Sequence, residues 1–149
     1  TVQNSNGAVD VRGATGTLDL KTSNGNITVN GGSATIDLET SNGTIDATTT
    51  KDVQITATSS NGALSFNGPL AANSKSVLRT DNAKIVVTLP AAASFTLDAS
   101  TSNGKITSDY AVKGDNPTDT ALKGTVGGDP QASLKLQTSN ANIEIHKGN

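Results

Sequence analysis

Leu18-Asp19-Leu20-Lys21-Thr22-Ser23-Asn24-Gly25-Asn26-Ile27-Thr28-Val29 places apolar residues two apart on both sides of a Ser-Asn-Gly tripeptide. Spacing of two is the strand period, with one face buried and the other wet. The tripeptide is one of seven copies: Ser5-Asn6-Gly7, Ser23-Asn24-Gly25, Ser41-Asn42-Gly43, Ser60-Asn61-Gly62, Asp81-Asn82-Ala83, Ser102-Asn103-Gly104 and Ser139-Asn140-Ala141. With the central Asn as position zero, apolar residues recur at −6, −4, +3 and +5, and Thr or Ser is usual at −2. Thr at that place suits a pleated, half-buried surface. No stretch sustains the i, i+3, i+4, i+7 pattern of a helix.

The central Asn residues are separated by 18, 18, 19, 21, 21 and 37 positions. A period near 20 marks a repeat architecture. All the variation lies between one repeat's second strand and the next repeat's first. That corner is built from small and turn residues such as Gly13-Ala14-Thr15-Gly16, Asn30-Gly31-Gly32-Ser33 and Gly68-Pro69. Insertions collect where backbone lies on the surface.

Two architectures fit. One is an antiparallel meander, as a sandwich or barrel, with each Asn-Gly a tight hairpin turn. The other is an all-β parallel β-solenoid or β-roll of about seven coils of 18–21 residues. Ala83 and Ala141 favour the solenoid, because a type I′ turn needs positive φ at both central residues and Ala is strained there. A solenoid corner needs one left-handed residue, which Asn supplies. Asn6, Asn24, Asn42, Asn61, Asn82, Asn103 and Asn140 would then stack as a side-chain ladder. About seven coils rising about 4.8 Å each give a rod on the order of 35 Å long.

The 149 residues are read as one domain, 1–149, with an irregular insertion at 109–130. Apolar content of 33% and aromatic content of 2% suit a narrow core filled by Ile, Leu, Val and Ala. The net charge of −2, with scattered Lys, speaks against nucleic acid as a partner. No apolar run approaches a membrane span. Cysteine is absent, which excludes disulfides and thiolate metal sites. A Thr-, Ser-, Asn- and Gly-rich chain of low charge leads to the expectation of an extracellular or cell-surface protein whose signal peptide has been removed. Asn26-Ile27-Thr28 and Asn42-Gly43-Thr44 match the glycosylation acceptor pattern, which arises by chance in so Asn- and Thr-rich a chain.

The segment 18–29, Val87-Thr88-Leu89-Pro90 with Thr101-Ser102-Asn103-Gly104-Lys105-Ile106, and Leu134-Lys135-Leu136-Gln137-Thr138-Ser139-Asn140-Ala141-Asn142-Ile143 together resemble a family of adhesin-like β-repeat surface proteins. That family is a domain of unknown function related to the head-GIN domains. The resemblance spans nearly the whole chain. It implies a β-solenoid or β-roll on the cell surface with an adhesive role, and it brings no catalytic residues.

The chemistry-bearing residues are few. His146 is the only histidine; it follows Ile145, is expected at a solvated strand end, and has no triad or metal partners near it in sequence. Asp19, Asp37 and Asp46 could align as a carboxylate row, and the plainer reading is outward-facing solubility positions. Neither a cofactor nor a metal is expected. Tyr110, Asp115, Asp119 and Asp129 mark the insertion as a candidate binding loop, with Tyr110 the one plausible exposed aromatic platform. The leading expectation is a non-enzymatic adhesin-like module binding a cell-surface or matrix glycan or protein. The alternatives are a subunit polymerising end to end with itself through open edges, and a polysaccharide-binding or polysaccharide-active solenoid.

Overall fold

The computed structural model describes residues 1–32, 34–114 and 116–148. It is an all-β parallel solenoid. Fifteen strands run in chain order: β1 (Val2–Asn4), β2 (Val9–Arg12), β3 (Leu18–Thr22), β4 (Ile27–Asn30), β5 (Ala34–Glu39), β6 (Ile45–Thr48), β7 (Val53–Thr58), β8 (Leu64–Asn67), β9 (Lys75–Arg79), β10 (Ile85–Leu89), β11 (Phe95–Ser100), β12 (Ile106–Ser108), β13 (Ala121–Val126), β14 (Ala132–Gln137) and β15 (Ile143–Lys147). Each coil gives one strand to each of two sheets. The Asn tripeptide joins the two strands of a coil, and the variable corner leads to the next coil.

Equivalent residues stand in register: Leu18 pairs with Ile36, Leu20 with Leu38, and Ile27 with Ile45. Alternation then sends every second side chain inward. Leu20, Ile36, Leu38, Ile45, Ile55, Leu64, Ile85, Leu134, Leu136 and Ile143 are all 0% exposed. Complete burial of each such side chain contributes about 1.5–3 kcal/mol. Small residues such as Ala47 and Ala57 lie in the same core as Phe66 and Phe95.

The stacking order departs from the chain order at one end. The sheets run β1-β3-β5-β7-β9-β14-β11-β13 and β12-β15-β10-β8-β6-β4-β2. The seventh coil, β14 and β15, is therefore inserted between the fifth (β9, β10) and the sixth (β11, β12). Strand β14 pairs in parallel with both β9 and β11, and β15 with both β10 and β12. Simple stacking of each repeat on its predecessor holds only for the first five coils. Strand β13, from the irregular segment, pairs antiparallel with β11 and is the one antiparallel strand among the described residues. Through β13 the irregular insertion caps this end of the stack.

Candidate functional site

The invariant corner is a continuous amide ladder. Asn24 Nδ2 donates to Asn6 Oδ1 at 2.8 Å, Asn42 to Asn24 at 2.7 Å, Asn61 to Asn42 at 2.8 Å and Asn82 to Asn61 at 2.8 Å. It then follows space rather than sequence: Asn140 donates to Asn82 at 2.7 Å, and Asn103 to Asn140 at 2.8 Å. All seven asparagines lie on this one edge.

None of these asparagines is left-handed. The described non-Gly residues with positive φ are Ala34, Asn73 and Asn116. The expectation of a left-handed Asn corner is therefore corrected. Asn is needed because its amide has a donor and an acceptor, which together link the coil before to the coil after. In the regular coils the glycine that follows is needed for space, whereas Ala83 and Ala141 fill that place in two others. A Cβ on Gly25 would collide with the carbonyl oxygen of Gly7, one on Gly43 with that of Gly25, and one on Gly62 with that of Gly43. Positive φ belongs to the variable corner instead, at Gly13, Gly16, Gly31, Gly32 and Gly68.

A second ladder, which strand periodicity alone did not reveal, runs beneath the first. Thr22, Thr40, Ser59, Thr80, Thr101 and Thr138 are buried. Each hydroxyl donates to a corner carbonyl of the neighbouring coil: Thr40 to Gly25, Ser59 to Gly43, Thr80 to Gly62, Thr138 to Ala83 and Thr101 to Ala141. Three of them also accept from the glycine N–H of their own corner: Thr40 from Gly43, Ser59 from Gly62 and Thr101 from Gly104. The recurrent hydroxyl at −2, three residues before that glycine, was the available signal. Its role follows from closing buried backbone groups at the corner.

A polar groove of about 610 Å³ lies where the ladder begins, lined by Gln3, Asn4, Asn6, Lys21 and Glu39 together with Ser5, Thr22, Ser23 and Ser41. Register puts Gln3 beside Lys21 and Lys21 beside Glu39. The Lys21 ammonium sits 3.2 Å from the Glu39 carboxylate. Hydrogen bonding to Glu39 raises the Lys21 pKa above its ordinary value, helped by the charges of Glu39, Asp19 and Asp37. The groove thus presents amides, hydroxyls and one charge of each sign.

The residues of the insertion do not converge. Tyr110 is 8% exposed and is not a surface platform. Its ring meets Phe95 edge-on with centroids 5.5 Å apart, and its hydroxyl lies 2.7 Å from each of the carbonyls of Leu89 and Pro90. Burial, with the nearby Asp109 charge, pushes the phenol up to about 12. Tyr110 therefore pins the cap to the core. Asp119 is exposed, and its backbone carbonyl accepts from Ile106 N at 2.8 Å. Asp129 accepts from Gln131 in the exposed link before β14. Asp115 lies outside the described residues.

His146 does have partners. Its Nδ1 is 3.2 Å from Asp109 Oδ2, and its Nε2 is 3.5 Å from Glu144 Oε2. The Asp109 partner is 37 residues away in sequence, which hid it. The Lys147 backbone N–H and His146 lower the Asp109 pKa. The three acidic residues do not form one row. Asp19 and Asp37 are register neighbours in one sheet, whereas Asp46 pairs with Thr28 and Ser65 in the other. Among the described residues, no three His or acidic side chains gather as a metal-ion site.

A family model described as Toastrack DUF4097 matches residues 1–146. No curated protein and no solved structure matches this chain.

Proposed function

We propose, from the premise that the chain belongs to the Toastrack DUF4097 family, that it is a non-catalytic, adhesin-like module working at the outside of the cell. Its ligand-facing part is the polar groove at the start of the Asn ladder, and its ligand is a surface or matrix glycan. The observation that carries this reading is the groove itself. Gln3, Asn4 and Asn6 offer both donors and acceptors, and Lys21 and Glu39 add one of each kind. Such mixed pairs match the hydroxyls of a sugar, each of which is both donor and acceptor. Two ladders hold the groove wall, so few side chains need ordering on binding.

End-to-end polymerisation has less support. It needs free strand edges at both ends of the stack. At one end β13 pairs along β11, Thr120 O accepts from Thr101 N, and Asp119 O accepts from Ile106 N.

The test is a glycan array and a cell-binding assay on the purified chain, beside a Lys21→Ala, Glu39→Ala double variant. Saturable binding, weakened at least about tenfold in the double variant, is expected; tenfold corresponds to about 1.4 kcal/mol. Absence of binding to every glycan and surface would overturn the proposal.

A further inference from the structure

The dipeptide that builds the ladder is also a reactive one. An Asn followed by Gly can lose its side-chain amide, because the unhindered glycine nitrogen can reach the Asn Cγ. The chain holds seven such dipeptides, at Asn6, Asn24, Asn30, Asn42, Asn61, Asn67 and Asn103. The reaction requires the glycine N–H to be free, since that nitrogen must lose its proton and swing onto the side chain.

Five of the seven are blocked by hydrogen bonds. Gly43, Gly62 and Gly104 donate to the hydroxyls of Thr40, Ser59 and Thr101 at 3.2, 2.9 and 3.1 Å. Gly31 and Gly68 donate to the carbonyls of Thr48 and Thr88 at 2.8 and 3.1 Å. Gly25 makes no such bond among the described residues, yet it is buried and the Asn24 amide is bonded on both sides. Asn6-Gly7 differs in its bonding. Asn6 is exposed like the other ladder asparagines, and Gly7 is half-buried where Gly25, Gly43 and Gly62 are buried. Asn6 makes only the acceptor half of the ladder. The position three before Gly7, filled elsewhere by Thr or Ser, is Asn4, whose Oδ1 instead accepts from Ser5 N at 2.8 Å.

We infer that Asn6 is a site of spontaneous, structure-selected deamidation, and that the hydroxyl row protects Asn42, Asn61 and Asn103. Hydroxide takes the Gly7 amide proton, and the nitrogen attacks Asn6 Cγ. A nitrogen–Cγ bond forms, the Cγ–Nδ2 bond breaks, and ammonia leaves. Water then opens the cyclic imide at one of its two carbonyls, giving aspartate or isoaspartate. The net change is amide plus water to carboxylic acid plus ammonia, with no oxidation. An aspartate at position 6 still accepts from Asn24, so the ladder survives while the groove gains a negative charge. The same change inside the ladder would replace a donor by an acceptor facing an acceptor.

Peptide mapping by mass spectrometry, on the folded chain held at mildly alkaline pH, tests this. Asn6 is expected to convert about tenfold faster than Asn42, Asn61 or Asn103, equivalent to about 1.4 kcal/mol of protection. In denaturant the four rates should converge. Asn4→Thr, which supplies the missing hydroxyl, should slow conversion at Asn6. Ser59→Ala, which frees the Gly62 N–H, should speed it at Asn61. Equal rates at all four sites in the folded chain, or an unchanged Asn6 rate in Asn4→Thr, would overturn the inference.

Discussion

From Val2 to Leu89 five coils stack in the order in which they occur in the chain; from Phe95 to Lys147 the remaining two do not. In the first region ladder partners are 18 to 21 residues apart. In the second they are 58 apart for Asn140 with Asn82, and 37 for Asn103 with Asn140. The thermodynamic difference is small. Loop closure costs only about 0.6 kcal/mol for each doubling of length. Burying Leu134, Leu136, Ile143 and Ile145 contributes about 1.5–3 kcal/mol for each side chain. What inverts the order is the cap. Strand β13 follows the sixth coil and pairs along the outer edge of β11, so β14 takes the inner one. The lesson is that a repeat specifies a shared register, and an end cap specifies which copy ends the stack.

The largest effect is expected where the two regions meet. Leu136 is 0% exposed on the inserted strand, and Leu136→Ala should cost about 2–5 kcal/mol by denaturant unfolding. Hydrogen exchange should rise first in β11, β13 and β14, while β3 to β8 stay protected. Equal loss of protection throughout would mean that the two regions unfold as one unit, and the contrast between them would fail.

A smaller effect separates the two corners within the regular region. Asn42→Val removes two exposed ladder bonds and should cost about 1–2 kcal/mol. Thr49→Val should be neutral to within about 0.5 kcal/mol, or slightly stabilising. Thr49 is 4% exposed and its Oγ1 is buried without a hydrogen-bond partner. Its indifference comes from a missing partner and not from exposure. Equal thermal shifts for the two variants would contradict the ladder.

The smallest effect concerns acid. The Asp109 pKa is lowered in the folded state by Lys147 N–H and by His146. Its contribution to holding the cap is therefore present above the unfolded carboxylate range, and is lost as pH falls through the lowered folded value. NMR should place the Asp109 titration below that of an ordinary aspartate, and Asp109→Asn should abolish the acid sensitivity of cap exchange. An Asp109 titration at the ordinary value would remove this difference between the cap and the open coils.

Much of the fold was legible. The phase of Leu18, Leu20, Ile27 and Val29 against Asn24 announces two strands per coil and an inward face for each. The alanines at 83 and 141 argue against hairpins. The amide ladder follows from seven asparagines at one phase. The hydroxyls were visible as a recurrent Thr or Ser, but their inward role was not, because period two does not distinguish a buried hydroxyl from a half-wet one. Tyr110 lay in an irregular stretch with no pattern to orient it, and only its place against Phe95 and the Leu89 carbonyl makes it core. His146 and Asp109 meet because β12 and β15 are neighbours, a pairing that no local pattern contains.

Residue type and phase, then, were enough for the rung: its two strands, its inner face, its amide edge and its parallel register. They were silent on which rung lies against which, because every rung offers the same edge and local pairing is degenerate. Folding in three dimensions removes that degeneracy through β13, Tyr110 and the closed outer edge of β11. These contacts act between segments that sequence separates and only the assembled stack brings together.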